Sequence, residues 1–183
     1  KAGRLETAVQ WAAESGLAFD DEPAFHRYGQ YKLFIATHIR RSEQTGDQSH
    51  LRALSCLAEK LSTMLSQRDY IFDALDLLTW MTLSYELAGV REKAITCLQR
   101  AVDYAHPGQI LYPFLDRGPI LQTVLRQLPL TAFTQRLLQQ AAQETGETID
   151  RIGRLTPAVD KIIRHGKPRA KNVHTGIDQV NGR

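Results

Sequence analysis

Apolar residues recur along the chain with the spacing of amphipathic helices, and this pattern repeats at a fixed interval. Gly3, Gly46 and Gly89 stand 43 residues apart. The positions five, eight and twelve residues after each glycine are apolar or small: Ala8, Trp11, Ser15, Leu51, Leu54, Ala58, Ala94, Cys97 and Ala101. Offsets of three and seven residues share one face of a helix, so a helix is predicted after each glycine. Each glycine is predicted to end the preceding helix and open the turn into the next.

The segment before each glycine repeats at the same 43-residue step without a gap. Its aligned sets are Tyr28/Ile71/Phe114, Phe34/Leu77/Ile120, Ile35/Leu78/Leu121 and His38/Met81/Val124. The repeating unit is therefore helix, turn, helix. First helices are predicted over 25–43, 70–88 and 110–128, and second helices over 4–15, 47–66, 90–105 and 132–145. No segment alternates as a strand does, so no sheet is predicted.

Prolines punctuate the second half of this pattern. Pro107 follows the third of the second helices and is predicted to end it. Pro113 and Pro119 fall inside the third first helix, where each removes an amide donor and crowds the preceding turn. We therefore expect that helix to be broken near Asp116-Arg117-Gly118.

Helix pairs with apolar residues on more than one side must stack on their neighbours. The predicted fold class is all-α, a right-handed superhelix of antiparallel helix pairs with a repeat of about 43 residues. Residues 1–145 form the repeat domain, 146–166 the C-terminal capping helices, and 167–183 a basic flexible tail or linker. Because the chain opens on a second helix without a partner, we expect either a fragment of a longer protein or a homodimer that covers this end.

The turn at Gly89 carries a family resemblance. The residues that resemble the tetratricopeptide (TPR) pattern are Leu78, Met81, Thr82, Tyr85, Ala94, Leu98 and Ala101. The segments GRLETAVQWA (3–12) and ILYPFLDRG (110–118) more specifically resemble the helical-repeat domain of the large ATP-dependent LuxR-type transcriptional regulators, the MalT-like group, over about residues 1–145. This resemblance implies a TPR-like superhelix that receives a small-molecule inducer or a regulatory protein. It also implies ATP-binding and DNA-binding domains elsewhere in the same full-length chain.

Two departures limit what this chain does by itself. It has no Gly-x-x-x-x-Gly-Lys-Ser/Thr loop to hold ATP phosphates. Leu155-Thr156-Pro157 resembles the start of the family's DNA-binding domain, but Ala158-Val159-Asp160 replaces its usual Arg-Glu run and only 27 residues follow Thr156. The chain is thus expected to be the sensor module of such a regulator. The alternative is a free-standing TPR-like scaffold for protein–protein interaction.

The sequence contains no recognisable catalytic motif. The histidines lack zinc-binding spacing, and neither a phosphate loop nor a nucleophile elbow occurs. His38 lies on the core stripe, and the acidic run 20–22 precedes Pro23, where it favours a helix start. We predict no catalytic residue, no metal site and no cofactor, and hence not an enzyme. With no membrane-length apolar run and only two cysteines, we expect a cytoplasmic protein that contacts no membrane.

Charge is distributed unevenly along the 183 residues, whose net charge is +3. Residues 151–183 contain eight Lys/Arg and two Asp/Glu, so the basic excess belongs to the end of the chain. The basic stretch 164–172 has no interleaved aromatic residues on which nucleic-acid bases would stack. It is therefore interpreted as a linker.

Binding is predicted in the concave groove that the first helices line. The predicted ligand-binding residues, between the packing stripes, are Leu33, Arg40, Asp76, Thr79, Leu83, Glu86, Gln122 and Arg126. Arg40 and Arg126 suit a carboxylate or phosphate, while Leu33 and Leu83 suit apolar groups. The alternative is that these positions are ordinary solvated faces with intrahelical ion pairs. Trp11, Trp80 and Tyr85 are predicted to pack in the core.

Overall fold

A computed structural model describes residues 2–143, and these residues form helices joined by short loops. The helices are α1 (Ala2–Glu14), a 3-10 turn (Phe25–Arg27) that leads into α2 (Tyr28–Thr45), α3 (Leu51–Ser66), α4 (Ile71–Leu87), α5 (Arg91–Ala105), α6 (Tyr112–Leu115), α7 (Pro119–Leu125) and α8, which covers 132–143 of the described part. Residues 2–143 contain no strand, which confirms the prediction of an all-α fold without a sheet.

Helix α4 lies at the centre of this arrangement. It packs against α3 and α5, its neighbours in sequence, and also against α2, α6 and α7. The Ser84 hydroxyl, near the end of α4, donates to the carbonyl of Leu51 at the start of α3 over 2.9 Å, so these two helices are antiparallel. Every α4 residue from Ala74 to Ser84 except Asp76 is buried. Apolar residues all round a helix are typical of one surrounded by neighbours.

The helices predicted as first helices lie side by side in the order α2, α4 and α6–α7. Lys32 near the start of α2 contacts Asp73 near the start of α4, so these two helices run in the same direction. The predicted aligned core positions Phe34, Ile35, Leu77 and Leu78 are all buried in the hydrophobic core. This row of helices positions the candidate site.

Two of the three marker glycines end helices as predicted. Gly46 and Gly89 adopt left-handed φ values of 73° and 71° after α2 and α4, and the Gly46 amide donates to the Ser42 carbonyl over 2.9 Å. Glycine reaches this region without the steric cost that a Cβ imposes. The prediction for Gly3 is wrong, because it lies in the first turn of α1, where no described helix precedes it.

The predicted break in the third first helix is confirmed. Helix α6 ends at Leu115, α7 begins at Pro119, and Gly118 between them has a φ of 81°. Each proline occupies the first turn of its helix, where a missing amide donor costs no intrahelical bond. The break carries Asp116 and Arg117, whose side chains enter the site described below.

Other predicted boundaries agree within a few residues. Helix α3 begins at Leu51 rather than 47 because the Asp47 carboxylate accepts the Ser49 amide over 2.9 Å, which holds the turn outside the helix. Helix α5 ends at Ala105, before Pro107, as predicted. The predicted capping helices (146–166) and tail (167–183) lie outside the described residues. Within the described part, no helix is both long and apolar enough to cross a bilayer.

Candidate binding surface on the first helices

A network of charged side chains joins α2, α4 and the break between α6 and α7. It crosses the row of first helices, so residues far apart in sequence meet on one face. We call it the ion network, and its members are Lys32, Arg40, Glu43, Asp73, Asp76, Asp116 and Arg117.

Arg117 is the buried centre of the ion network, with a side chain only 4% exposed. Its guanidinium donates to the Asp76 carboxylate, to the Thr79 hydroxyl over 3.0 Å and to the Asp116 carboxylate over 3.2 Å. The guanidinium carbon also lies 4.0 Å from the centre of the Trp80 ring. Burial lowers the pKa of Arg117, while the two carboxylates act in the opposite direction. Arg117 is thus held between three partners and the indole, as a buried charge requires.

Lys32 links α2 to α4 on the other side of Asp76. Its ammonium contacts the Asp73 carboxylate and lies 3.1 Å from the second carboxylate oxygen of Asp76. Burial acts to lower the pKa of Lys32, but the bonds to Asp73 and Asp76 outweigh it and raise the pKa above its usual value. Asp76 is consequently shared by two cations from two different elements.

Arg40 is bound within the protein by both ends of its guanidinium. One end donates to Glu43, one turn further along α2, over 2.7 Å, and the other donates to the backbone carbonyl of Asp116 over 3.0 Å. Its guanidinium carbon lies 5.2 Å from the Trp80 ring centre. The Arg40–Glu43 contact is an intrahelical ion pair of the kind that the alternative interpretation expected. Arg40 therefore helps to hold the break in place.

The predicted ligand-binding residues divide into separate groups. Asp76 and Thr79 accept bonds from Arg117, and Arg40 donates to the carbonyl of the neighbouring Asp116. Glu86 instead pairs with Arg91 over 3.0 Å. Gln122 is half-buried in α7, and Arg126 is exposed at the end of that helix.

Two of the predicted groove residues require correction. Thr79 and Leu83 are fully buried, so neither offers its side chain to a ligand in the groove. The physical reason is that α4 packs against helices on several sides, and positions between the two packing stripes are covered as well. Thr79 instead accepts a hydrogen bond from Arg117. The predicted core role of Trp80 is confirmed, since it is buried, and Trp11 and Tyr85 pack partly buried against the core.

Three large apolar side chains are exposed on the helices that carry the ion network. Leu33 on α2, Phe72 on α4 and Tyr112 on α6 are 49%, 47% and 62% exposed. The Phe72 and Tyr112 rings are stacked, with centres 6.4 Å apart and planes inclined by 14°. Phe72 lies one turn before Asp76 on α4, and Tyr112 lies one turn before Asp116 at the end of α6, so the ring pair borders the ion network. We call these three residues the apolar rim.

Sequence reasoning missed Phe72, Tyr112, Lys32 and Arg117. One signal was available for Arg117, because the 43-residue step aligns it with Tyr31 and Ala74, and both are buried. A charged residue at a buried register position predicts a buried ion pair. The apolar rim has no comparable signal, because a lone apolar residue in a helix sequence does not distinguish core from surface.

Two cavities lie elsewhere. One of about 380 Å³ is lined by Arg52, Cys56, Glu59, Tyr85, Val90 and Lys93, and one of about 170 Å³ by Phe19, His38, Arg41, Ser42, Asp47 and His50. The His38 ring packs on Phe19 and Phe34 at 4.8 and 4.5 Å, and burial, aided by Arg41 and His50, lowers its pKa. Among residues 2–143, no three His, Cys, Asp or Glu side chains are grouped to hold a metal ion.

The sequence and the fold were compared with known proteins. No family model, curated protein or solved structure matches this chain.

Proposed function

We propose that this chain is a non-catalytic binding module built as a TPR-like superhelix, of the kind found in the MalT-like LuxR-type regulators. It receives a small-molecule inducer or a regulatory protein on the face formed by α2, α4 and α6, in the cytoplasm. The observation that carries the proposal is the apolar rim, three large exposed side chains from three helices beside the ion network.

The composition of the apolar rim favours binding of another molecule. Single exposed apolar residues are normal on protein surfaces, but the exposed Phe72 and Tyr112 rings stack across two helices, and Leu33 is exposed on α2 next to Lys32 in the sequence. Aromatic side chains supply large contact area at a small cost in side-chain entropy, and they dominate binding energy in many interfaces.

The ion network supports binding in a second way, because it fixes the positions of the three helices. Arg117 joins the break to α4, Lys32 joins α2 to α4, and Arg40 joins α2 to the break. A surface held in place before its ligand arrives loses less entropy on binding. The apolar rim is thus presented by a preorganised scaffold.

Capture of a partner tests the proposal. Immobilised chain is exposed to a lysate of the source cells, alongside a Phe72→Ser/Tyr112→Ser variant and a Tyr104→Ser control. Tyr104 is similarly exposed, at 38%, but belongs to α5. We expect a component that is retained by the wild type and the control and lost from the rim variant. Retention of the same components by all three proteins would contradict the proposal.

The genomic context separates the regulator from the scaffold. A coding region for a phosphate-binding loop before Lys1, or for a helix-turn-helix after Arg183, supports the sensor module of a regulator. A start codon directly before and a stop codon directly after these residues supports the free-standing interaction scaffold instead.

A further inference from the structure

We infer that the surface formed by the ion network and the apolar rim takes a basic peptide segment of a partner protein, in which an arginine or lysine stacks on Tyr112 and pairs with Asp116 while a neighbouring apolar side chain covers Phe72 and Leu33. This inference rests on the proposed function and names the chemistry of its ligand. The charged groups of this surface that already have ion-pair or hydrogen-bond partners within the chain decide which ligand charge it can accept.

Each cation of the ion network already has at least two partners within the chain. Lys32 is bonded to two carboxylates, Arg117 to two carboxylates and a hydroxyl, and Arg40 to Glu43 and a backbone carbonyl. An incoming carboxylate or phosphate would have to displace these partners from side chains that are mostly buried, and the displaced carboxylates would then lack their cations. The surface is therefore poorly suited to an anionic ligand.

The carboxylates of the ion network outnumber its cations. Lys32, Arg40 and Arg117 face Glu43, Asp73, Asp76 and Asp116, which leaves one negative charge in excess. The most exposed of these carboxylates is Asp116, at 63%. Only one of its oxygens accepts a hydrogen bond from Arg117, over 3.2 Å. Asp116 is thus the member of the ion network with capacity for another cation.

An aromatic face stands beside this carboxylate. Tyr112 and Asp116 are four residues apart, and Asp116 keeps right-handed helical dihedral angles at the end of α6, so the two side chains lie on the same side of that turn. A guanidinium between them gains both an ion pair and a cation–π contact. Phe72, stacked on Tyr112, and Leu33 extend the surface with apolar area for a second side chain. A peptide segment with adjacent basic and apolar residues matches this order of groups.

Selection from a random peptide library tests the inference. A phage library of random 12-residue peptides is selected on the folded chain, and the enriched peptides are synthesised with a fluorescent label for anisotropy titrations. We expect enrichment of arginine or lysine next to Leu, Ile or an aromatic residue. Replacing the key arginine by the uncharged citrulline should weaken binding about three- to fivefold, the size expected for one exposed ion pair or cation–π contact.

Matched variants locate the binding. Asp116→Asn keeps an oxygen that can accept from Arg117 and leaves the backbone carbonyl for Arg40, so the break is preserved, while Tyr112→Leu removes only the aromatic face. Each should weaken the arginine peptide about three- to fivefold and leave the citrulline peptide nearly unchanged. Asp103→Asn on α5, an exposed aspartate that belongs to neither the ion network nor the apolar rim, is the control and should have no effect.

The outcomes distinguish the inference from the proposed function. Enrichment of acidic peptides whose binding is lost in Tyr112→Leu would overturn the inference and leave the apolar rim as a binding surface. Basic peptides that bind Asp116→Asn and Tyr112→Leu as tightly as the wild type would also overturn it, since their site then lies elsewhere. The absence of any enriched peptide would overturn it too, while the lysate capture would still decide the proposed function.

Discussion

Removing Asp76 should destabilise the protein more than removing Arg117, although each substitution breaks the same ion pair. Arg117→Met leaves Asp76 paired with Lys32 at 3.1 Å. Asp76→Ala leaves the nearly buried Arg117 guanidinium with only the exposed Asp116 carboxylate and the Thr79 hydroxyl. A charge left without its partner in the interior is the costly outcome, whereas an apolar side chain in place of a buried ion is well tolerated.

The expected magnitudes follow from these surroundings. Breaking a buried pair from one side costs about 3–5 kcal/mol, and the lower end applies to Asp76→Ala because Asp116 still partly neutralises Arg117. Arg117→Met should cost about 1–2 kcal/mol, from lost hydrogen bonds and the lost contact with Trp80. In the double variant the buried charge is gone, so its cost should fall about 1–2 kcal/mol below the sum of the single costs.

Urea unfolding at neutral pH measures these free energies, with circular dichroism for the whole fold and tryptophan fluorescence for the surroundings of Trp11 and Trp80. Equal slopes with denaturant across the four proteins would show that the comparison is valid. The reasoning is refuted if Arg117→Met costs more than Asp76→Ala, or if the two costs simply add. A larger cost for Arg117→Met would mean that Lys32 does not compensate Asp76 when Arg117 is removed, and additive costs would mean that Asp76 and Arg117 are not energetically coupled.

Three further predictions concern single residues. Gly89→Ala should cost about 1 kcal/mol because φ is 71° there, whereas Gly29→Ala, inside α2 with open space around it, should stabilise by a few tenths to about 1 kcal/mol; urea midpoints that shift in the same direction would contradict this. Cys56 is exposed and should react with a thiol reagent at once, while Cys97, whose burial raises its pKa to about 11, should react only on unfolding; prompt labelling of both thiols in folded protein would count against the structure. Burial lowers the pKa of His38 below its ordinary 6.5, so the unfolded chain binds this proton more readily and the free energy of unfolding should fall as the pH drops through about 6.5; an equal fall in His38→Gln would show that other groups are responsible.

The sequence pattern predicted the helices because periodicity and punctuation are local properties. Positive-φ glycines at 46 and 89 and the prolines around the break act within a few residues, and both effects are visible in the sequence. The predicted helix 90–105 differs from Arg91–Ala105 by one residue for the same reason. Local chemistry was sufficient for these elements.

The surface was harder to predict because burial depends on how many neighbours a helix has. The same register position is exposed at Leu33 in α2 and largely buried at Asp76 in α4, since α4 has helices on more sides. Thr79 and Leu83 were placed in the groove by a pattern that assumes equal surroundings for every repeat. The burial of Arg117, by contrast, could have been predicted from the 43-residue step, which aligns it with Tyr31 and Ala74, and both of these are buried.

The buried guanidinium of Arg117 also bears on how the chain avoids wrong compact states. Tyr31 and Ala74 at the aligned positions fill space with apolar atoms, and apolar contacts of similar size are available in many shifted arrangements. A shift of α7 by one helical turn would instead carry the Arg117 charge away from Asp76 into apolar surroundings, at a cost of several kcal/mol. The Arg117–Asp76 ion pair therefore favours one alignment of the broken helix over shifted ones.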